Sequence, residues 1–195
     1  MSVLDDGFDP TAVTSPRAAI TSENNKPIGI FDSGIGGLTV ARCIASLLPA
    51  ESIYYVGDTK RCPYGPRPQA EVRLFVSQVG RWLERHVVKL VVIACNTATA
   101  AGLDVIQRAL KVPVIGVIEP GARAAIQATR SRRVGVLATQ GTVDSGAYER
   151  AIHNLDAGVR VTQSAAGSFV DFVERELATG TYLHEDWMDS VGVFD

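Results

Sequence analysis

The stretch Leu90-Val-Val-Ile-Ala-Cys95-Asn-Thr-Ala-Thr-Ala-Ala101 constrains the fold more than any other. An apolar run ends in a cysteine, and small and hydroxylated residues then open a helical pattern. A buried strand therefore delivers a thiol to a strand-to-helix turn. In open α/β sheets, ligands collect outside the carboxyl ends of the strands. The helix beyond the turn offers unpaired N–H groups and partial positive charge. Both favour thiolate, the form that acts as base or nucleophile. The competing reading is an inert, packed cysteine.

A chain of 195 residues holds one large domain or two small ones and buries a core without help from disulfides or metals. The net charge of −2 and the lack of a basic stripe exclude a nucleic-acid footprint. Cys43, Cys62 and Cys95 are widely spaced, with no Cys-x-x-Cys pair. That argues against a disulfide framework or zinc site and for a reducing, cytoplasmic setting. No apolar run approaches the roughly 18 residues that span a bilayer, so no membrane partner is expected.

Residues 1–26 read as a flexible leader: acidic at Asp5, Asp6 and Asp9, broken by Pro10 and Pro16, and polar through Asn25. Order is expected from Pro27-Ile-Gly-Ile-Phe-Asp32, a strand ending in an acid. The turn Ser33-Gly-Ile-Gly-Gly-Leu38 follows, a candidate anion cradle. It leads into a helix over 39–48, with Leu38, Ala41, Ala45 and Leu48 at helical spacing. A dinucleotide fingerprint fits only in part. Gly34 and Gly36 match and Asp58 stands where a ribose-binding acid belongs, but Thr39 replaces the third glycine.

Ser52–Val56 reads as the next strand. Thr59–Pro68 is a stiff loop with Arg61 and Arg67, either a rigid connector or the wall of an anion pocket with Tyr64 as hydrogen bonder. A helix over 69–86 buries Val72, Phe75, Val76, Val79 and Leu83, with His86 as a cap. After the Cys95 turn a helix runs to Leu110. A strand over 111–118 is ended by Glu119-Pro-Gly121, and a short helix covers 122–129. A second series has a strand at 133–139, a turn at 140–145, a helix at 146–155, a strand at 159–162 and a helix at 169–177. Alternating strands and helices define an α/β fold with parallel sheets.

Four loops then fall at the strand rim: Asp32-Ser33, Pro63-Tyr64-Gly65, Cys95-Asn96-Thr97 and Thr139 through Thr142. Their acid, thiol, hydroxyls and amide suit a small polar anion such as an amino acid. No metal-binding cluster and no Ser/His/Asp array is present.

At these residues the chain closely resembles the glutamate racemase family. The matching motifs are Ile30–Leu38, Tyr55–Pro68, Val92–Ala100, Gly116–Gly121 and Ala138–Ser145, in that order, within a resemblance running from about Pro27 to about Val173. The resemblance implies two related parallel-sheet α/β domains with the substrate between them. The first covers 27–122 and the second 123–195, the latter incomplete at its C-terminal end. It also implies cofactor-independent, two-base interconversion of L- and D-glutamate for peptidoglycan synthesis. Cys95 would be one of the two bases. Asp32 would join the proton-transfer network and contact the amino group. Ser33, Pro63, Tyr64, Gly65, Asn96, Thr97, Thr139 and Thr142 would line the substrate. A homo-oligomer stays open.

One departure matters. The family carries a second cysteine downstream, in a Leu-Gly-Cys-Thr-His-like segment, whereas no cysteine follows Cys95 here. Cys62, Cys43, His153 and His184 are the other groups considered for that role. The alternative function is thus a racemase-like chain that binds glutamate or a protein partner without turnover.

Overall fold

In the computed structural model the described residues are 11–14, 25–167 and 169–170. Five strands form the larger sheet: β1 (Thr11–Thr14), β2 (Ile28–Asp32), β3 (Ile53–Gly57), β4 (Leu90–Ile93) and β5 (Val114–Gly116). Their spatial order is β1-β3-β2-β4-β5. β2, β3, β4 and β5 are mutually parallel, and β1 lies antiparallel on β3 with Thr11 opposite Gly57. The segment expected as a flexible leader therefore contains one strand. It gains backbone hydrogen bonds at an edge that β3 leaves open, which composition alone does not reveal.

The helices are α1 (Leu38–Leu47), α2 (Gln69–Arg85) and α3 (Asn96–Ala109). Strand side chains alternate between the sheet's faces. Phe31, Val56, Val91 and Ile93 join the core under α2 and α3, while Ile28, Ile30, Tyr55, Val92 and Ala94 face α1. Covered on both sides, β2 is buried at all five positions, as parallel strands are. The α2 stripe lies inward as its period predicts, and His86 caps that helix. α1 differs from its expected face. Ala41 is buried with Val40 and Ile44 packed beside it, whereas Leu38 and Leu48 are about half exposed, Ala45 is exposed, and Cys43 lies at the surface, away from the cavity that Cys95 lines.

α3 approaches α2 through Gly102, where a Cβ would stand 2.7 Å from Val76 Cγ1 and 2.8 Å from its Cβ. Because Val76 is itself fully buried, the clash cannot be relieved into solvent. Gly102→Ala is therefore expected to destabilise the fold by about 1–3 kcal/mol, read as a lower urea midpoint at unchanged slope.

β5 is shorter than the strand expected over 111–118, and α4 (Ile118–Ala128) begins at the last residue of that strand, ahead of Glu119-Pro-Gly121. Pro120 falls in the first helical turn, where a missing N–H leaves no bond unmade. Ala122 and Ile126 of α4 pack into a second core with β6 (Arg133–Ala138), α6 (Ala147–Leu155) and the segment before β7 (Arg160–Ala165). In packing, α4 thus belongs with the second unit. β6 and β7 are a parallel pair. The segment expected as a turn is the short helix α5 (Gln140–Ser145), capped by Thr139. β7 extends to Ala165, three residues beyond the expected strand. Of the helix expected over 169–177, only Phe169 and Val170 lie among the described residues.

Candidate active site

Strand order fixes where a ligand can bind. From β2 the chain moves outward to β3, then returns to place β4 on β2's other side. α1 and α2 leave on opposite faces, and a crevice opens between the carboxyl ends of β2 and β4. Asp32 ends β2, and Cys95 stands two residues beyond β4.

Asp32 is buried, and its Oδ2 accepts the N–H groups of Gly34 at 3.1 Å and Gly37 at 3.0 Å. The glycine turn is a cradle for negative charge, but the chain's own carboxylate occupies it. A Cβ at Gly37 would lie 2.7 Å from Asp32 Cβ, so this close seating requires glycine. Asp58, weighed as a ribose acid, is wholly buried. Its Oδ2 accepts from Arg61 Nε at 2.5 Å and from the Tyr64 hydroxyl. Both findings overturn the nucleotide reading.

Cys95 caps α3. Its sulfur accepts the Ala98 N–H at 3.4 Å, and its thiol donates to Ser33 Oγ at 3.4 Å. Burial first, and the Asp32 charge second, push this thiol above its ordinary range. The hydrogen bonds with Ser33 and Ala98 pull the other way and are outweighed. The expectation that the helix terminus favours thiolate is thus corrected: the helix end contributes, but desolvation and a neighbouring carboxylate exceed it. Thiolate, the alkylating form, will therefore accumulate only above pH 9, the ordinary thiol value. Iodoacetamide labelling of Cys95, read by peptide mass spectrometry, should still be rising steeply there. A plateau below pH 8 would contradict the assignment.

A cavity of about 390 Å³ opens over these groups. Asp32, Ser33, Pro63, Tyr64, Gly65, Cys95, Asn96, Thr97 and Thr139 all line it, so three loops of the first sheet meet one of the second. Thr142 stands behind this wall, fully buried. Its hydroxyl lies 3.0 Å from that of Thr139 and 3.4 Å from that of Thr97, and Thr97 and Thr139 are 2.8 Å apart. Tyr64 lines the cavity, but its hydroxyl is committed to Asp58. Burial and that carboxylate keep the phenol protonated far above its ordinary range. Gly65 sits so close to Thr139 that a Cβ would meet Thr139 Cβ at 2.8 Å.

The arginines expected as an anion wall face the protein. Arg61 also donates to Gln78 at 2.5 Å and lies over the Phe75 ring, while Arg67 pairs with Glu71 at 2.7 Å. Cys62 lines the cavity. His153 does not; its ring contacts the Val159 carbonyl at 3.1 Å. His184 lies outside the described residues.

Eight further residues line the cavity beyond the expected site and Cys62: Gly36, Gly37, Thr39, Val40, Ala94, Val117, Tyr148 and Val170. Gly36 and Gly37 had a readable signal, the glycine turn read as an anion cradle; Val117 and Tyr148 had none.

An acid and a thiol stand at the reversal point of a parallel sheet, beside a cavity that residues of a second α/β unit also line, and this defines an α/β protein with a candidate small-molecule site. The family model for Asp/Glu/hydantoin racemases matches residues 28–181, and the chain belongs to that family. A glutamate racemase of Exiguobacterium sibiricum is 50% identical over 159 residues, which are 82% of this chain and 59% of that protein. One of Lysinibacillus sphaericus is 53% identical over 150 residues, 77% of this chain and 57% of its own length. The chain thus spans under three fifths of these curated relatives. Among solved structures, a Bacillus anthracis glutamate racemase isoform superposes with a TM-score of 0.76 at 49% identity, over 80% of this chain and 58% of that one. The Francisella tularensis glutamate racemase, solved with D-glutamate, gives 0.74 at 40% identity, over 81% and 59%.

Proposed function

We propose that this chain carries the Cys95 face of a cofactor-independent glutamate racemase that interconverts L- and D-glutamate in the cytoplasm and supplies D-glutamate for peptidoglycan. The observation that carries the reading is the placement of the Cys95 thiol and Asp32 carboxylate on adjacent parallel strand ends, in one cavity of amino-acid size. Its glutamate racemase relatives, at about half identity, support it.

The chemistry follows from the charges. The Asp32 carboxylate raises the Cys95 thiol. A substrate ammonium placed against Asp32 offsets that contribution, the second after burial, and so moves the thiol toward thiolate. The thiolate then takes the Cα proton: the C–H bond breaks, an S–H bond forms, and the electron pair moves into the substrate carboxylate. Fixed donors in a water-poor cleft stabilise that charge. In reverse, the protonated thiol returns the proton to the same face.

Inversion requires a second acid on the opposite face. Among the described residues Cys95 and Cys62 are the thiols that line the cavity; acting alone, Cys95 would form a half-site that exchanges the Cα proton without inverting it. The purified chain, incubated with L- and with D-glutamate in heavy water, separates the readings. Racemisation with exchange supports the full reaction. Exchange from one enantiomer alone supports the half-site. Folded protein that exchanges neither overturns the proposal.

A further inference from the structure

Tyr148 enters the cavity from α6, and its hydroxyl donates to Asn96 Oδ1 at 2.7 Å, across 52 residues of chain. We infer that Tyr148 is the positioning residue that sets the carboxamide of Asn96 and turns its NH2 group toward the ligand. The inference rests on the cavity being a glutamate site.

Three observations carry it. Asn96 is the first residue of α3 and its side chain is exposed, so nothing in its own helix fixes which end of the amide faces the cavity. An amide offers an acceptor on one end and two donors on the other. An anionic ligand requires the donor end. Burial raises the Tyr148 phenol above its ordinary range, so its proton stays in place to donate across neutral pH. By taking Oδ1, that proton leaves the nitrogen for the other side. Finally, the ring is held from behind. A Cβ at Gly121, in the first turns of α4, would stand 3.2 Å from the Tyr148 hydroxyl and 3.3 Å from its ring. The glycine there leaves the ring just the room it occupies.

Asn96 and Tyr148 belong to different units, so the bond also closes one flank of the cavity. Beyond it lies a second, largely apolar hollow lined by Leu137, Ala166 and Phe169. Breaking the bond lets the amide turn toward that hollow and present either end.

The test is a double-mutant cycle on glutamate binding, read by calorimetry on the whole chain. Tyr148→Phe removes one hydrogen bond and nothing else from the ring, and should weaken glutamate binding about five- to tenfold. Asn96→Ala should weaken it at least as much. The double variant should bind no more weakly than Asn96→Ala alone, because Tyr148 acts only through that amide. Gly121→Ala, which displaces the ring without touching the amide, should reproduce the loss seen in Tyr148→Phe. Independent, additive losses would show a general structural role and overturn the inference. So would unchanged affinity in Tyr148→Phe. Failure of the parent chain to bind either enantiomer overturns the glutamate reading itself, and the inference falls with it.

Discussion

Cys95→Ala will abolish exchange of the glutamate Cα proton on the face that Cys95 serves. The loss should be about a thousandfold or more, in the upper range for a positioned acid–base group. Glutamate affinity should change far less, since the thiol's partners in the structure are protein groups, Ser33 and the Ala98 N–H. Cys95→Ser keeps both partners but not the acidity of a thiol, and it should be nearly as slow. Proton NMR in heavy water measures the rate, and calorimetry the affinity. A fully active Cys95→Ala variant would remove Cys95 from the mechanism, however well it is placed.

Asp58→Ala should cost about 3–5 kcal/mol of stability, the range for breaking one side of a buried ion pair. Asp58 has no exposure, and the Arg61 side chain opposite it is 14% exposed. Removing the carboxylate leaves a guanidinium largely shut away from water and strips the Tyr64 hydroxyl of its acceptor. Asp58→Asn, which retains an acceptor oxygen, should lose less. Urea unfolding followed by circular dichroism gives both values. A loss below about 1 kcal/mol for Asp58→Ala would mean that water replaces the carboxylate. The same variant should loosen the Pro63–Gly65 loop, because Tyr64 anchors it from beneath.

How much of this was legible in the sequence depends on the scale of the signal. The β2, β4 and α2 assignments follow from apolar runs and a clean helical stripe, and the structure keeps them nearly to the residue. The four site loops were legible because each lies where a strand must end. The misreadings share a different cause: partners distant in sequence decide them. Ala45 and Ile44 are neighbours on one helix, and only the sheet beneath shows that Ile44 packs. Tyr64 lines the cavity, but its hydroxyl is taken by Asp58, a pairing that no local sequence signal reveals. The state of Cys95 turns on burial, which a sequence does not show, and on the charge of Asp32, which the strand-end pattern had already placed at the same rim. Tyr148 carries no local signal at all; its place is fixed by a second unit folding back over the first.

The seam between the two units has a consequence for how the site responds to its surroundings. Thr97 meets Thr139 and Thr142, Gln69 Nε2 donates to the Gly141 carbonyl at 2.6 Å, the Gly141 N–H donates to Gly65, and Tyr148 donates to Asn96. Each of these bonds joins neutral groups. Among the described residues, the ion pairs identified stay within one unit or the other. Salt screens charges, not amide and hydroxyl contacts. The closure of the cleft is therefore insulated from ionic strength, while the action of the Asp32 charge on the Cys95 thiol inside it remains electrostatic. A rise in salt would alter the solvent around the cleft without loosening the seam that shuts it.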